Sequence, residues 1–219
     1  MKKVRLLLIL LATMLLFAAC NQLPTLKKRG AGYLYSKTND PYVEAPVSFL
    51  AARRTKQQVA LLVDKSGDRP LYSAGEGLLC EENGALYVPK GTLFPSLDEF
   101  HPTRLNLCKE EVIRTEIATS VDDILLDGVV QAFEANTPDA ESLELLQGFS
   151  YARYVILLSS KDYSDYCYRL EYNLYEKGDD PYGDWPYETE TIGLLYDRGQ
   201  DRYAIAPEGL ETLLAGGRQ

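Results

Sequence analysis

Short apolar runs and stretches of period-two alternation follow one another between residues 58 and 119, and this pattern predicts β-strands. The dipeptide Asn83-Gly84 lies between two such runs. It favours the type I′ turn of a β-hairpin, because both central residues of that turn need positive φ. The expected strands are Gln58–Val63, the hairpin arms Gly77–Cys80 and Ala85–Val88, and a half-buried strand over Asn106–Thr119.

The spacing of apolar residues changes after Ser120 to that of a helix. Val121, Ile124, Leu125, Val129 and Phe133 recur on one face of a 3.6-residue period. We expect this helix to begin at Ser120, whose side chain can accept a backbone N–H. A shorter helix is predicted to start at Pro138, and a terminal helix at Pro207.

The pattern returns to strands between residues 151 and 206. Tyr151–Leu158 is apolar on both faces, and Asp165–Tyr175 alternates, with Tyr166, Tyr168 and Tyr172 on the face that we expect to cover the core. Thr191–Tyr196 and Arg202–Ala206 read as a further hairpin. The fold class predicted from these elements is α+β, a mostly antiparallel sheet packed against one or two helices.

The first nineteen residues follow a different pattern. Lys2, Lys3 and Arg5 precede Leu6–Phe17, a run that is apolar except for Thr13 and too short to span a bilayer comfortably. A basic start, a short apolar middle and small residues at the end are typical of a secretory signal peptide. A buried N-terminal helix is the alternative, and it fits less well because the run has no polar face.

Ala18 and Ala19 lead directly into Cys20, and here the segment resembles the signal of bacterial lipoproteins. The resemblance implies that Cys20 is lipidated and becomes the N-terminus after cleavage, so that the chain is held at the cell membrane on its extracytoplasmic face. Phe17 departs from the family pattern, which favours an aliphatic residue there. An ordinary cleaved signal peptide is the alternative.

These patterns divide the chain into three parts. We predict a signal peptide over residues 1–19, a lipidated cysteine with a flexible tether over 20–46, and a globular α+β region over 47–219. Within the globular region the pattern distinguishes a strand-rich part, 47–108, from a sheet-plus-helix part, 109–219, and leaves open whether they are one domain or two. The basic tether residues Lys27–Arg29 either touch anionic lipid headgroups or belong to a solvated linker.

The net charge of the chain limits the classes of partner that we expect. The chain has 23 Lys and Arg against 32 Asp and Glu, and residues 1–19 hold three of the basic residues and none of the acidic ones, so the chain from Cys20 onward has a net charge of −12. Such a chain repels phosphate backbones, which excludes nucleic acid as an expected partner. The remaining cysteines, Cys80, Cys108 and Cys167, form no Cys-x-x-Cys motif, and we interpret them as buried thiols or as one disulfide plus one thiol.

Chemistry-bearing motifs are sparse. His101 is the single histidine, and no nucleotide-binding or nucleophile motif occurs, so no cofactor, no metal and no catalytic residue is predicted. The function that we expect is a non-enzymatic binding module of the bacterial cell envelope, with an envelope protein or wall polymer as partner. The alternative is a hydrolase that uses paired carboxylates on envelope polymer.

The densest group of candidate binding residues lies in the loop Gly178–Glu190. Three interpretations are open: its aromatics stack on a sugar or a partner, its aspartates bind Ca²⁺ with a spacing unlike that of an EF-hand, or it is a solvated hairpin loop whose aromatics pack on the sheet. The candidate residues are Asp179, Asp180, Tyr182, Asp184, Trp185 and Tyr187.

Overall fold

A computed structural model describes residues 26–29, 32–35, 41–52, 58–59, 61–62, 71–75, 77–81, 85–109, 115–178, 180 and 183–217. The predicted signal peptide 1–19 and Cys20 lie outside the described residues. The chain forms two compact units, one made of residues 1–44 and 54–92 and the other of residues 45–53 and 93–219. The boundary at residues 92 and 93 therefore precedes the subdivision at residues 108 and 109 that we drew from the sequence.

The described elements are short strands and helices of moderate length. In chain order they are β1 (Leu26–Arg29), β2 (Gly32–Tyr35), β3 (Pro41–Glu44), β4 (Phe49–Ala51), β5 (Gln58–Val59), β6 (Leu61–Leu62), β7 (Leu71–Gly75), β8 (Leu78–Glu81), β9 (Leu86–Pro89), β10 (Arg104–Lys109), β11 (Thr115–Ser120), α1 (Asp123–Ala135), α2 (Ala140–Leu146), β12 (Tyr151–Ser159), β13 (Tyr166–Glu176), β14 (Thr191–Asp197), β15 (Arg202–Ile205) and α3 (Gly209–Gly217).

The first unit contains one sheet, whose described strands run in the order β5-β7-β8-β9-β3-β2-β1-β6. Neighbouring strands are antiparallel except β1 and β6, which are parallel. Strands β5 and β6 stand at the two ends of this order, although only residue 60 separates them in the chain. The sheet therefore closes on itself, around a core of Tyr42, Leu71, Leu79 and Tyr87.

The sequence predicted the central hairpin of this unit and differed from the structure at its start. Strands β8 and β9 pair as the expected arms, with Cys80 opposite Leu86. Strands β1, β2 and β3 lie within residues 20–46, where we expected a tether, and Tyr42 of β3 is buried. Gly32 and Pro41, two of the residues that indicated a linker, are instead the first residues of β2 and β3.

The second unit contains a seven-stranded sheet in the order β11-β10-β12-β13-β14-β15, with β4 paired to the first half of β13. All of its described pairs are antiparallel. The single strand expected over Asn106–Thr119 is wrong: β10 and β11 are two paired strands, with Leu107 opposite Ala118. The acidic pair Glu110-Glu111, which interrupts the alternation in sequence, lies outside the described residues.

Helices cover one face of this sheet. Helix α1 buries Leu126, Val129 and Phe133, and the guanidinium of Arg202 on β15 lies 5.3 Å from the Phe133 ring. Its N-cap is Asp122, whose carboxylate accepts the N–H of Ile124, and not Ser120 as the sequence suggested. Ser120 ends β11 instead. The C-terminal end of α3 touches β11 beside Ile117.

The face beneath α1 and α3 contains the tyrosines that the alternation assigned to the core. Tyr168 and Tyr172 are almost completely buried, which confirms that assignment for these two, whereas Tyr166 is half-buried with its ring against Phe49 and Phe94. A Cβ on Gly193 would lie 2.6 Å from the Tyr172 ring, so only glycine fits beneath that ring. The sheets are mostly antiparallel and combine with helices, as expected of the α+β class.

A buried carboxylate fixes β4 to the end of β14. Asp197 accepts hydrogen bonds from the hydroxyls of Ser48 (2.7 Å) and Tyr168 (2.5 Å) and from the backbone N–H of Gly199 (3.0 Å) and Gln200 (3.3 Å). These donors replace the water that the charge loses on burial. Burial and the bond to Asp197 both raise the pKa of Tyr168.

Cys80, Cys108 and Cys167 are all buried as thiols. Within the described ranges, none of the helices has the length and apolar character needed to cross a membrane.

Candidate functional site

The loop Gly178–Glu190 is held against the sheet by its tryptophan. Trp185 is only 8 % exposed and forms a cluster with Leu146 of α2 and Leu194 of β14. Its ring meets that of Phe149 edge to face, with centroids 4.9 Å apart. Its indole N–H donates to the carbonyl of Thr189 at 2.6 Å. With its ring buried, Trp185 is not itself placed to stack on a ligand.

The acidic residues of the loop shape its backbone. The carboxylate of Asp180 accepts the N–H groups of Asp184 (3.0 Å) and Trp185 (3.1 Å). Burial opposes ionisation there, but these hydrogen bonds hold the pKa of Asp180 below its usual range. Asp184 is exposed, Tyr187 is half-buried 6.2 Å from the Trp185 ring, and Asp179 and Tyr182 lie outside the described residues.

Beside this loop, four tyrosines line the sheet face that α1 and α3 leave open, and we call them the tyrosine face. Tyr151 on β12 pairs with Tyr175 on β13, with ring centroids 4.9 Å apart. Tyr196 on β14 pairs with Tyr203 on β15, and their rings are stacked at 4.4 Å. Tyr151 is exposed and the other three are half-buried.

The two ring pairs are neighbours on this face, because Tyr175 from one pair and Tyr203 from the other both pack against the cluster of Leu146, Trp185 and Leu194. Burial raises the pKa of Tyr175, and the phenols of Tyr151 and Tyr203 raise it further. Burial also raises the pKa of Tyr203, with added contributions from Asp201, Glu171 and Tyr151.

Two arginines flank the tyrosine face. The guanidinium of Arg153 lies over the Tyr151 ring, 5.7 Å from its centroid, and donates to the Tyr151 hydroxyl at 2.9 Å. Arg198 is half-exposed and lies 3.0 Å from the buried carboxylate of Glu171. Tyrosine and arginine are the residue types most enriched at protein interfaces and at their energetic hot spots.

The Trp185 cluster supports the tyrosine face from one side. Tyr175 and Tyr203 both pack against the cluster of Leu146, Trp185 and Leu194. The loop that the sequence singled out therefore contributes a buried anchor, and the half-exposed rings next to it are supplied by the strands.

A buried polar atom lies in the same sheet face. Asn173 is opposite Arg153 on β12 and two residues from Tyr175. Its side chain is 7 % exposed, and among the described residues its Oδ1 has no hydrogen-bond donor. Such an oxygen is an acceptor that is costly to leave unpaired.

Sequence reasoning did not find the tyrosine face, although a signal for it exists. The pattern Tyr-x-Arg occurs at Tyr151–Arg153 and again at Tyr196–Arg198. Because side chains two apart on a strand share a face, the first pattern places a ring beside a guanidinium on β12. In the second pattern, Arg198 directly follows the last residue of β14. The alternation alone does not reveal that these two strands belong to one open face.

The described residues offer little for acid–base or metal chemistry. The carboxyl groups with a clear pKa shift, Asp98, Glu99, Asp139 and Asp180, all shift downward. Among the described residues, no three His, Cys, Asp or Glu side chains gather to hold a metal ion.

Comparison with known proteins adds no assignment. No protein-family model matched the chain, and no curated protein or solved structure did either.

Proposed function

We propose that this protein is a lipid-anchored, extracytoplasmic binding module that engages an envelope protein through its tyrosine face. The observation that carries the proposal is the patch of half-exposed rings, Tyr151, Tyr175, Tyr196 and Tyr203, flanked by Arg153 and Arg198.

The side chains of the tyrosine face are held in fixed conformations by their neighbours, and this favours binding. Tyr196 is stacked on Tyr203, and its hydroxyl donates to Asp201 at 2.9 Å. The Tyr151 ring lies 4.9 Å from that of Tyr175, and its hydroxyl accepts a hydrogen bond from the Arg153 guanidinium. Side chains that are already ordered lose little conformational entropy when a partner covers them, so more of the contact energy appears as affinity.

The N-terminal sequence pattern supports the proposed location of the module. Ala18-Ala19-Cys20 ends a basic and apolar leader of the lipoprotein type. Two or more acyl chains on Cys20 would anchor the chain stably, whereas a single chain holds a protein only marginally. Anchored in this way, the tyrosine face meets envelope components and no cytoplasmic cofactor.

A wall polymer is the other partner class, since tyrosine rings also stack on apolar faces of sugars. We favour a protein because arginine and tyrosine together characterise protein interfaces. The carboxylate-dependent hydrolase needs an acid with a raised pKa. Since the clear shifts among the described carboxyl groups are all downward, no observation favours that function.

Site-specific photo-cross-linking in intact cells tests the proposal. A photo-reactive benzoylphenylalanine replaces Tyr196, and the matched control replaces Tyr72, a half-buried tyrosine of the first unit. We expect a discrete cross-linked protein at position 196 and none at position 72. A product that a muramidase shortens would identify wall polymer instead. Equal yields at both positions, or no product at 196 from protein that is folded and membrane-bound, would contradict the proposal.

The anchor is tested separately by mass spectrometry of the membrane fraction. We expect an acylated N-terminus at Cys20. Cys20→Ala should release the protein or leave the leader uncut. Unchanged membrane attachment and processing in this variant would refute the anchor and leave the binding proposal standing.

A further inference from the structure

A second surface of the same unit carries exposed apolar and acidic groups in one groove. The open groove has a volume of about 690 Å³ and lies between the irregular segment 93–101 and the turn that joins β12 to β13. It is lined by Leu93, Phe94, Pro95, Glu99, His101, Asp162 and Tyr163.

Aromatic packing fixes the apolar wall of this groove. The Phe94 ring lies 4.4 Å from that of Phe49 and 5.2 Å from that of Tyr166. Phe100 is fully buried and stacks on Tyr163 at 5.4 Å with nearly parallel planes. The segment 93–101 is therefore ordered by its own side chains.

One aliphatic side chain of this ordered segment does not contribute to the core. Leu93 is 91 % exposed, although the aromatic residue that follows it is packed inward. A single exposed aliphatic side chain is ordinary on a protein surface, and Leu93 is distinguished only by its place on the rim of the groove.

The groove is acidic, and among the described residues no lysine or arginine lines it. Glu99 accepts both the N–H and the hydroxyl of Ser96, and these bonds hold the pKa of its carboxyl below the usual range. Asp162 lies 3.7 Å from the imidazole of His101, and both are largely exposed. His101 also borders a smaller cavity of about 240 Å³, which adds Asp98 and Asp127.

The backbone at His101 is strained. Its φ is +47°, a conformation that residues other than glycine seldom adopt. Backbone strain persists where surrounding contacts enforce it, and such positions cluster at functional sites. Here the neighbouring ring of Phe100 is buried, so the segment holds His101 between the two cavities.

We propose that this acidic groove docks a basic peptide segment of a partner protein, with Lys or Arg side chains against Glu99 and Asp162 and an aliphatic side chain against Leu93 and Tyr163. A cationic peptide complements the charge of the acidic groove, and apolar side chains on the same peptide would cover the exposed Leu93. The inference concerns a different surface from the tyrosine face and does not depend on the function proposed above.

Fluorescence anisotropy with synthetic peptides tests the groove on the detergent-solubilised full chain. The probe is a labelled peptide of alternating Lys and Leu, compared with matched Lys–Ser and Glu–Leu peptides. We expect the Lys–Leu peptide to bind, the Lys–Ser peptide to bind at least about fivefold more weakly, and the Glu–Leu peptide not to bind. Rising salt should weaken binding, because the rim charges are solvent-exposed.

Substitutions of groove residues test whether the peptide binds in the groove. Asp162→Asn and Glu99→Gln together should weaken binding of the Lys–Leu peptide about tenfold, and Leu93→Ala about fivefold. Glu208→Gln and Ile124→Ala are the matched controls, because both side chains are exposed and outside the groove, and they should leave affinity unchanged. Since Glu99 also caps Ser96, Asp162→Asn alone is measured as well and should still weaken binding.

Three results would overturn the proposal: no binding of the Lys–Leu peptide, equal binding of the Glu–Leu peptide, or equal losses in the groove and control variants. The last would show only general attraction between a basic peptide and an acidic protein. A loss caused by Tyr196→Ala instead would assign the peptide to the tyrosine face.

Discussion

The two faces of the seven-stranded sheet both carry tyrosines, but in opposite environments. Tyr154, Tyr168 and Tyr172 lie on the face beneath α1 and α3 and are buried. Tyr151 and Tyr196 lie on the other face, where α2 and the Trp185 loop cover only part of the sheet. Tyrosines therefore belong to the core on one face of the sheet and to the surface on the other. Which of the two they become depends on whether helices cover that face.

The hydrogen-bond acceptors of the tyrosine hydroxyls on the two faces also differ in solvent exposure. Tyr168 donates to Asp197, a carboxylate with no solvent exposure, whereas Tyr196 donates to the exposed Asp201. A hydrogen bond that shields a buried charge contributes more to stability than one that competes with water. We therefore expect substitutions on the buried face to cost folding free energy, and those on the open face to cost binding.

The largest difference is expected between Tyr172→Ala and Tyr196→Ala. Removing the fully buried Tyr172 ring leaves a cavity and should lower the free energy of unfolding by about 3–5 kcal/mol. Tyr196→Ala should lower it by less than about 1 kcal/mol. Chemical denaturation of both purified variants measures these two free energies of unfolding. Equal losses would show that the two faces do not differ in the way described.

A smaller difference is expected between two aspartates of the β14–β15 hairpin. Asp197→Asn replaces a carboxylate that accepts from Ser48 and Tyr168, and should cost about 2 kcal/mol. Asp201→Asn changes an exposed acceptor and keeps a residue type that tolerates the positive φ of 50° at that position, so it should cost under about 0.5 kcal/mol. Melting temperatures report both, and a reversed order would contradict the role assigned to Asp197.

Alkaline pH should weaken the fold through the tyrosines. Burial, with added contributions from Tyr163 and Asp165, raises the pKa of Tyr166 to about 12, and burial raises that of Tyr168. Because these folded-state values exceed the unfolded value of about 10, their stabilising effect is complete below pH 10 and declines as pH rises toward 12. Denaturation at pH 8 and pH 11 measures the decline. The Tyr166→Phe variant should show a shallower decline, and an identical slope would exclude Tyr166 as a cause.

Much of the second unit could be predicted from sequence because its signals are local. A run that is apolar on both faces located β12, period-two alternation located β13, and the run from Ile124 to Phe133 located α1. The N-cap was missed because Ser120 and Asp122 are both good caps, and only the path of β11 decides between them. Strands β1–β3 were missed because their glycines and prolines are equally common in linkers.

The candidate site was harder to predict because it depends on which strands become neighbours. The density of aromatic and acidic residues drew attention to Trp185, but its burial against Leu146 and Leu194 is a tertiary property. Tyr151 and Tyr203 are about 50 residues apart in sequence and come near each other only once β12 to β15 have assembled. Alternation places a side chain on one face or the other, and it does not say which face remains open.

Oxidative footprinting in intact cells tests the central claim most directly. Hydroxyl radicals modify accessible tyrosines, and the extent of modification at Tyr151, Tyr196 and Tyr203 is compared between the purified chain and the chain in its envelope, with Tyr72 as the internal reference. If a partner covers the tyrosine face, modification of Tyr151, Tyr196 and Tyr203 falls in cells relative to Tyr72. Equal modification of these tyrosines in both settings would contradict the assignment of this face as the binding surface.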